Sequence, residues 1–87
     1  MATYFHRHPR GFSNECDIIR ADTPEQAEAA EAEGYARITR DDLRRHVAEI
    51  NRRNDEWGSN RAFGPIDFAA ITNPAHPRHA EYSAANR

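Results

Sequence analysis

Apolar positions along this chain fall into short bursts separated by turn-forming residues, and their spacing changes from one burst to the next. The first burst, Ala2 to His8, carries Thr3, Tyr4 and Phe5, types that suit a pleated strand. The second, Cys16 to Ala21, centres on Ile18 and Ile19. Pro9, Arg10, Gly11, Ser13 and Asn14 lie between them and supply turn chemistry. Two strands joined this closely form an antiparallel hairpin.

A helix start follows. Thr23 is a good N-cap, Pro24 occupies the first helical position, and Gln26 completes a capping-box pattern. The helix then holds only alanine among its apolar residues, and Gly34 stops it. Tyr35 to Ile38 reads as a short third strand. Thr39 caps a second helix in which Leu43, Val47, Ile50 and Trp57 recur on one face at spacings of four, three and seven. On its polar side Asp41, Arg45, Glu49 and Arg53 follow each other at intervals of four, suited to ion pairing. Gly58 and Ser59 end it. Phe63, Ile66, Phe68 and Ile71 then pack back on the domain, with a short helix expected after Pro65. From Asn73 onward two prolines, small residues and a single aromatic indicate a flexible or extended tail.

These elements predict a small α+β domain over residues 1–72, of order β-β-α-β-α, followed by a tail over 73–87. An antiparallel sheet is expected to be covered on one face by two helices lying side by side. The expected core is Ile18, Ile19, Ile38, Leu43, Val47, Ile50, Trp57 and Phe68.

Composition narrows the function classes. Eighty-seven residues with 38% hydrophobic and 30% charged content give one thin core, with a stability margin on the order of 3–5 kcal/mol. A lone cysteine, Cys16, forms no internal disulfide, and Met1–Arg10 has no apolar run of the kind that marks a secretory signal. No stretch is apolar enough for a membrane span, so a cytoplasmic protein is expected. All 12 basic residues are arginine, whose fixed charge and planar fork suit ion-paired interfaces. They are unevenly placed. Residues 21–36 carry Asp22, Glu25, Glu28, Glu31 and Glu33 and no base, whereas residues 37–54 carry Arg37, Arg40, Arg44, Arg45, Arg52 and Arg53 against three acids. Such polarity steers charged partners at long range.

Candidate chemistry is sparse. His6 and His8 alternate on one strand face, with Cys16 across the hairpin and His46 as a fourth ligand, but paired close-spaced zinc ligands are missing. His76 and His79 sit in the tail. Cys16 reads as a buried strand cysteine in preference to a nucleophile, and Asp41-Asp42 as helix-start acids in preference to an acid–base pair. Neither catalysis nor a cofactor or metal is expected. Arg37, Arg40 and Arg44 lie on one flank of the apolar stripe, while Arg45 and Arg52 point nearly opposite it. These five, or the Glu28/Glu31 face, are the expected partner contacts. Tyr35 and Trp57 would offer stacking if the partner were a nucleic acid. Interleaved acids and a net charge of −2 argue for protein over nucleic acid.

In size, thin core, separated charge faces and single α+β domain, the chain resembles small accessory proteins of phages and mobile elements, anti-CRISPR proteins among them. The resemblance lies in overall make-up and carries no motif. It implies an inhibitor or adaptor that occludes a host protein or nucleoprotein surface, such as a CRISPR effector complex, without chemistry. Two alternatives stay open: a nucleic-acid-binding accessory protein using the second helix, and a structural, oligomer-forming virion subunit. A homodimer is compatible with either.

Overall fold

The computed structural model describes residues 2–7, 17–56 and 65–86. Three strands, β1 (Thr3–Arg7), β2 (Asp17–Ala21) and β3 (Ala36–Ile38), form one antiparallel sheet of order β2-β1-β3. Three helices accompany it: α1 (Pro24–Ala32), α2 (Arg40–Glu56) and α3 (Phe68–Thr72). Both outer strands run antiparallel to β1 and are therefore parallel to each other. The β2-α1-β3 passage is thus a split β-α-β unit with β1 in the gap.

Local chemistry sets the helix ends. The Thr23 hydroxyl accepts from the Gln26 N–H at 3.2 Å, and the Gln26 side chain reaches back to the Asp22 N–H at 2.8 Å. At the other end Gly34 has φ +93°, a conformation that side chains rarely adopt. The Gly34 N–H then donates to Glu31 O and the Tyr35 N–H to Ala30 O, both at 3.1 Å, closing a Schellman motif. The turn delivers Tyr35 straight into the core, where it is 4% exposed. Thr39 caps α2 by accepting from the Asp42 N–H at 3.2 Å.

The α+β class and the antiparallel sheet match the sequence reading; the layering does not. Phe5, Ile19 and Ala21 pack with Ala27, Ala30 and Tyr35, beneath α1. Ile18 packs with Leu43, Val47, Ile50 and Ile71, joined by Tyr4 and Ile38, beneath α2 and α3. The register explains the division. Phe5 lies opposite Ile19 and Arg37, whereas Tyr4 lies opposite Arg20 and Ile38, and successive side chains point to opposite faces. The two long helices therefore cover opposite faces of the sheet and do not share one. The physical reason is the Ile18-Ile19 pair: adjacent residues of a strand cannot both face the same layer, so a one-sided sheet would leave an isoleucine in water.

The core also differs in detail. Ile18, Ile19, Leu43, Val47 and Ile50 are buried as expected, and Ile38 and Phe68 are partly buried at its edge. Phe5, Tyr35, Ala70 and Ile71 are buried in addition. Trp57, Phe63, the turn at 9–14, the helix stop at Gly58-Ser59, and the residues His8 and Cys16 lie outside the described residues.

Residues 73–86 depart from the expected extended tail. They form turns and two short 3-10 helices, His79–Glu81 and Ala84–Asn86, laid along the outer edge of β2. The Arg20 N–H donates to Tyr82 O at 2.7 Å, and Ser83, 7% exposed, bridges Arg20 in parallel. Tyr82 packs on the α2 side of the sheet and Ala84 on the α1 side. The physical reason is that β2 leaves an edge to be satisfied, and the segment supplies the carbonyl that meets it.

Candidate functional site

Six arginines project from β3 and α2, and most are already matched by carboxylates. Arg37 pairs with Glu31 at 2.7 Å, joining β3 to α1. Arg45 pairs with Asp42. Arg52 takes both Glu49 at 2.6 Å and Glu56 at 2.7 Å, and Arg53 approaches Glu49 at 3.6 Å. Of the expected partner contacts, Arg37 and Glu31 thus satisfy each other, and Arg45 and Arg52 are met by acids of their own helix. Glu28 is exposed on α1 and makes no ion pair among the described residues. The opposite placement of the helices also puts the acids of α1 on the far side of the sheet from α2, so the two charged surfaces are not neighbours.

Hydrogen bonds from Arg45 hold the Asp42 carboxyl below its ordinary value, with Thr39 adding to the effect. Arg52 does the same for Glu49, and Arg78 for Glu81. Folded-state values below the unfolded ones mean that these groups stabilise the fold above the carboxylate range. That contribution is lost as pH falls through about 4. The thermal midpoint should therefore drop between pH 5 and pH 3. The drop should shrink in high salt, because these pairs are exposed and screened. Melting curves at both pH values, with and without added salt, check this.

Arg40 and Arg44 are the exception. Both are exposed and neither makes an ion pair among the described residues. They stand one helical turn apart, so their like charges repel. Their guanidiniums lie over the Phe68 ring, at 5.7 and 5.1 Å from its centroid. Phe68 is half-buried at the start of α3, with Asp67 as N-cap accepting from the Ala69 N–H at 2.9 Å.

Besides the packing of Ile66, Phe68 and Ile71, Asn51 ties the segment carrying Phe68 to α2. Asn51 donates through Nδ2 to Ile66 O at 2.7 Å and accepts through Oδ1 from the Ile66 N–H at 2.8 Å. Arg78 secures the far side, donating to Pro65 O at 3.2 Å and to Glu81 at 2.9 Å. The result is a shallow hollow of about 420 Å³ lined by Val47, Ala48, Ile66 and Phe68, with Arg44 and Arg78 at its rim and Asp67 beside them. A second hollow of about 530 Å³ opens at the other end of the arginine pair, where Tyr4, Ile38 and Thr39 meet Arg40.

Among the described histidines, His6 and His46 come together, and His76 and His79 bond elsewhere. His76 accepts from the Arg78 N–H through Nδ1 at 3.0 Å, so its Nε2 carries the hydrogen that faces Asp67 at 3.1 Å. His79 donates through Nδ1 to Ala70 O at 2.7 Å. His6 meets His46 edge-on, with ring centroids 5.1 Å apart. Among the described residues no three His, Cys, Asp or Glu side chains gather as a metal site would require. Tyr35, offered by the sequence as a stacking platform, lies in the core beneath Arg7, whose guanidinium is 4.3 Å from the ring centroid.

Sequence reasoning found Arg40 and Arg44 but missed Phe68, Asn51 and Arg78 as their neighbours. The spacing of Arg40, Arg44, Val47 and Asn51 on one side of α2 was the available signal. What lies against that side depends on the loop return.

No family model, no curated protein and no solved structure matches the chain.

Proposed function

We propose that this protein is a non-enzymatic binding module that docks on an acidic protein surface through Arg40, Arg44 and Phe68. One observation carries this reading: two guanidiniums left without carboxylate partners over a half-exposed ring, in a helix whose other arginines are paired. Arginine and aromatic side chains are the types that anchor protein interfaces. Charge left uncompensated in the free protein gains its partner on docking, which favours fast and selective association. The small size of the domain fits an inhibitor or adaptor that works by occlusion, of the kind that phages and mobile elements encode.

A nucleic-acid partner is less well supported. Phosphate binding draws on a broad basic surface, whereas Arg78 is taken by Glu81 and the net charge is −2.

Side-by-side capture with wild-type, Arg40→Glu/Arg44→Glu and Arg52→Glu baits tests the reading. The double reversal should deplete the retained proteins at least tenfold, and Arg52→Glu should leave them unchanged. Equal depletion by both baits overturns the reading. So does DNA or RNA binding that falls steeply with salt and needs Arg44.

A further inference from the structure

We infer that the Arg40–Phe68–Arg44 ridge receives an acidic peptide segment that also carries bulky aliphatic side chains. Its carboxylates meet the two guanidiniums, and its aliphatic groups enter the hollows on either side. The inference rests on the reading of this ridge as a protein-binding surface and names the chemistry of its partner.

The arrangement is that of a charged crest between two apolar depressions. Arg40 borders the hollow lined by Ala2, Tyr4 and Ile38, and Arg44 borders the one lined by Val47, Ala48 and Ile66. A pure carboxylate ligand would meet the crest and leave both depressions wet. A purely apolar ligand would fill them and bury the guanidiniums against nothing, at a large cost in desolvation. Only a segment with both kinds of side chain satisfies the whole surface. The geometry suits regular backbone. Arg40 and Arg44 are separated by about 6 Å along α2. Carboxylates one turn apart on a helix, or two residues apart on a strand, have about the same spacing. A guanidinium fork takes a carboxylate through two parallel hydrogen bonds, which fixes the register of the segment.

A second copy of this chain fits less well. Of its carboxylates without an ion pair among the described residues, Glu25, Glu28 and Glu33 lie on or beside α1, whose exposed apolar side chains are Pro24, Ala29 and Ala32, too small to fill either hollow, and Asp41 and Asp55 lie on α2 among its arginines. Pairing two β3 edges about a two-fold axis centred on Arg37 would set like charges opposite each other. A nucleic acid offers phosphates for the crest but nothing aliphatic for the depressions.

Fluorescence anisotropy with labelled peptides tests the inference. The probe is a peptide of four Leu-Glu-Glu repeats. Its controls replace every Leu by Ala, or every Glu by Gln, and an oligo-dT of equal length stands for nucleic acid. The Leu-Glu-Glu peptide should bind at least tenfold more tightly than either peptide control. Arg40→Ala/Arg44→Ala should weaken it at least tenfold. Ala48→Trp, which plugs one hollow without touching charge, should weaken it at least fivefold with helicity unchanged by circular dichroism. If the Ala-Glu-Glu peptide binds equally well through Arg40 and Arg44, the inference fails and the protein-binding reading of the ridge survives. If peptide affinity ignores the arginine substitutions, or oligo-dT binds more tightly, both fail.

Discussion

Ile18→Ala and Ile19→Ala are each expected to destabilise the fold by about 2–5 kcal/mol, the range for truncating a buried isoleucine. Both side chains are 2% exposed, yet they belong to different clusters. Ile18 supports Leu43, Val47 and Ile50 of α2, and Ile19 supports Phe5 and the alanines of α1. Removing either leaves a cavity whose walls come from three elements, which limits collapse. Against a margin on the order of 3–5 kcal/mol, either change brings the chain to the edge of unfolding. Urea titration followed by circular dichroism measures it. A sheet covered on one face would give a different result, with one isoleucine costly and its neighbour nearly neutral. A single mild substitution in this pair would overturn the packing of helices on both faces of the sheet.

Deleting residues 73–87 is expected to abolish stable folding, or to leave a species that associates through β2. The cut takes away the carbonyl that meets the Arg20 N–H, and an unpaired partly buried donor costs about 1–3 kcal/mol. It also takes Tyr82 from one cluster and Ala84 from the other. His79 no longer holds Ala70 O. Arg20 keeps its bonds to Asp22 and to Thr72 O, but Thr72 becomes the chain end. Together these losses exceed the margin, and they bare a strand edge that can pair with another chain. Chemical denaturation and size-exclusion chromatography of residues 1–72 against the full chain decide the matter. A truncated protein that melts like the intact one and elutes as the same species would show that the segment is a dispensable tail.

The difference between tail and strap illustrates what was legible. Composition after Asn73 is that of a tail, with prolines and small residues, and no periodicity marks Tyr82 or Ser83 as buried. Their burial comes from an edge more than sixty residues earlier in the chain, which local pattern does not reveal. The layering is legible in the strand itself. Ile18-Ile19 already required two covered faces, because side-chain direction alternates along a strand. Phe68 was placed in the core on hydrophobicity alone. In so short a helix Ala70 and Ile71 face inward, and Phe68 is left at the rim beneath two cations.

The candidate site divides in the same way. The arginine run on α2 and its flank were visible from spacing, but five arginines and two glutamates had equal standing there. Ion pairing separated them: Arg37 meets Glu31 across the fold, Arg45 and Arg52 take Asp42 and Glu49 three residues away on α2, and Arg40 and Arg44 are left over Phe68.

What the amino-acid order determined by itself is local. Thr23-Pro24 begins a helix, Gly34 ends it, Thr39 begins the next, and the strands and the α+β class follow from side-chain type and period. Each of these depends on atoms within a few residues, through caps, backbone freedom and alternation. Which face each helix covers, where the last fourteen described residues lie, and which charges stay uncompensated were decided only in three dimensions. Those outcomes depend on groups far apart in the chain that meet at the same buried face, the same edge N–H and the same aromatic ring.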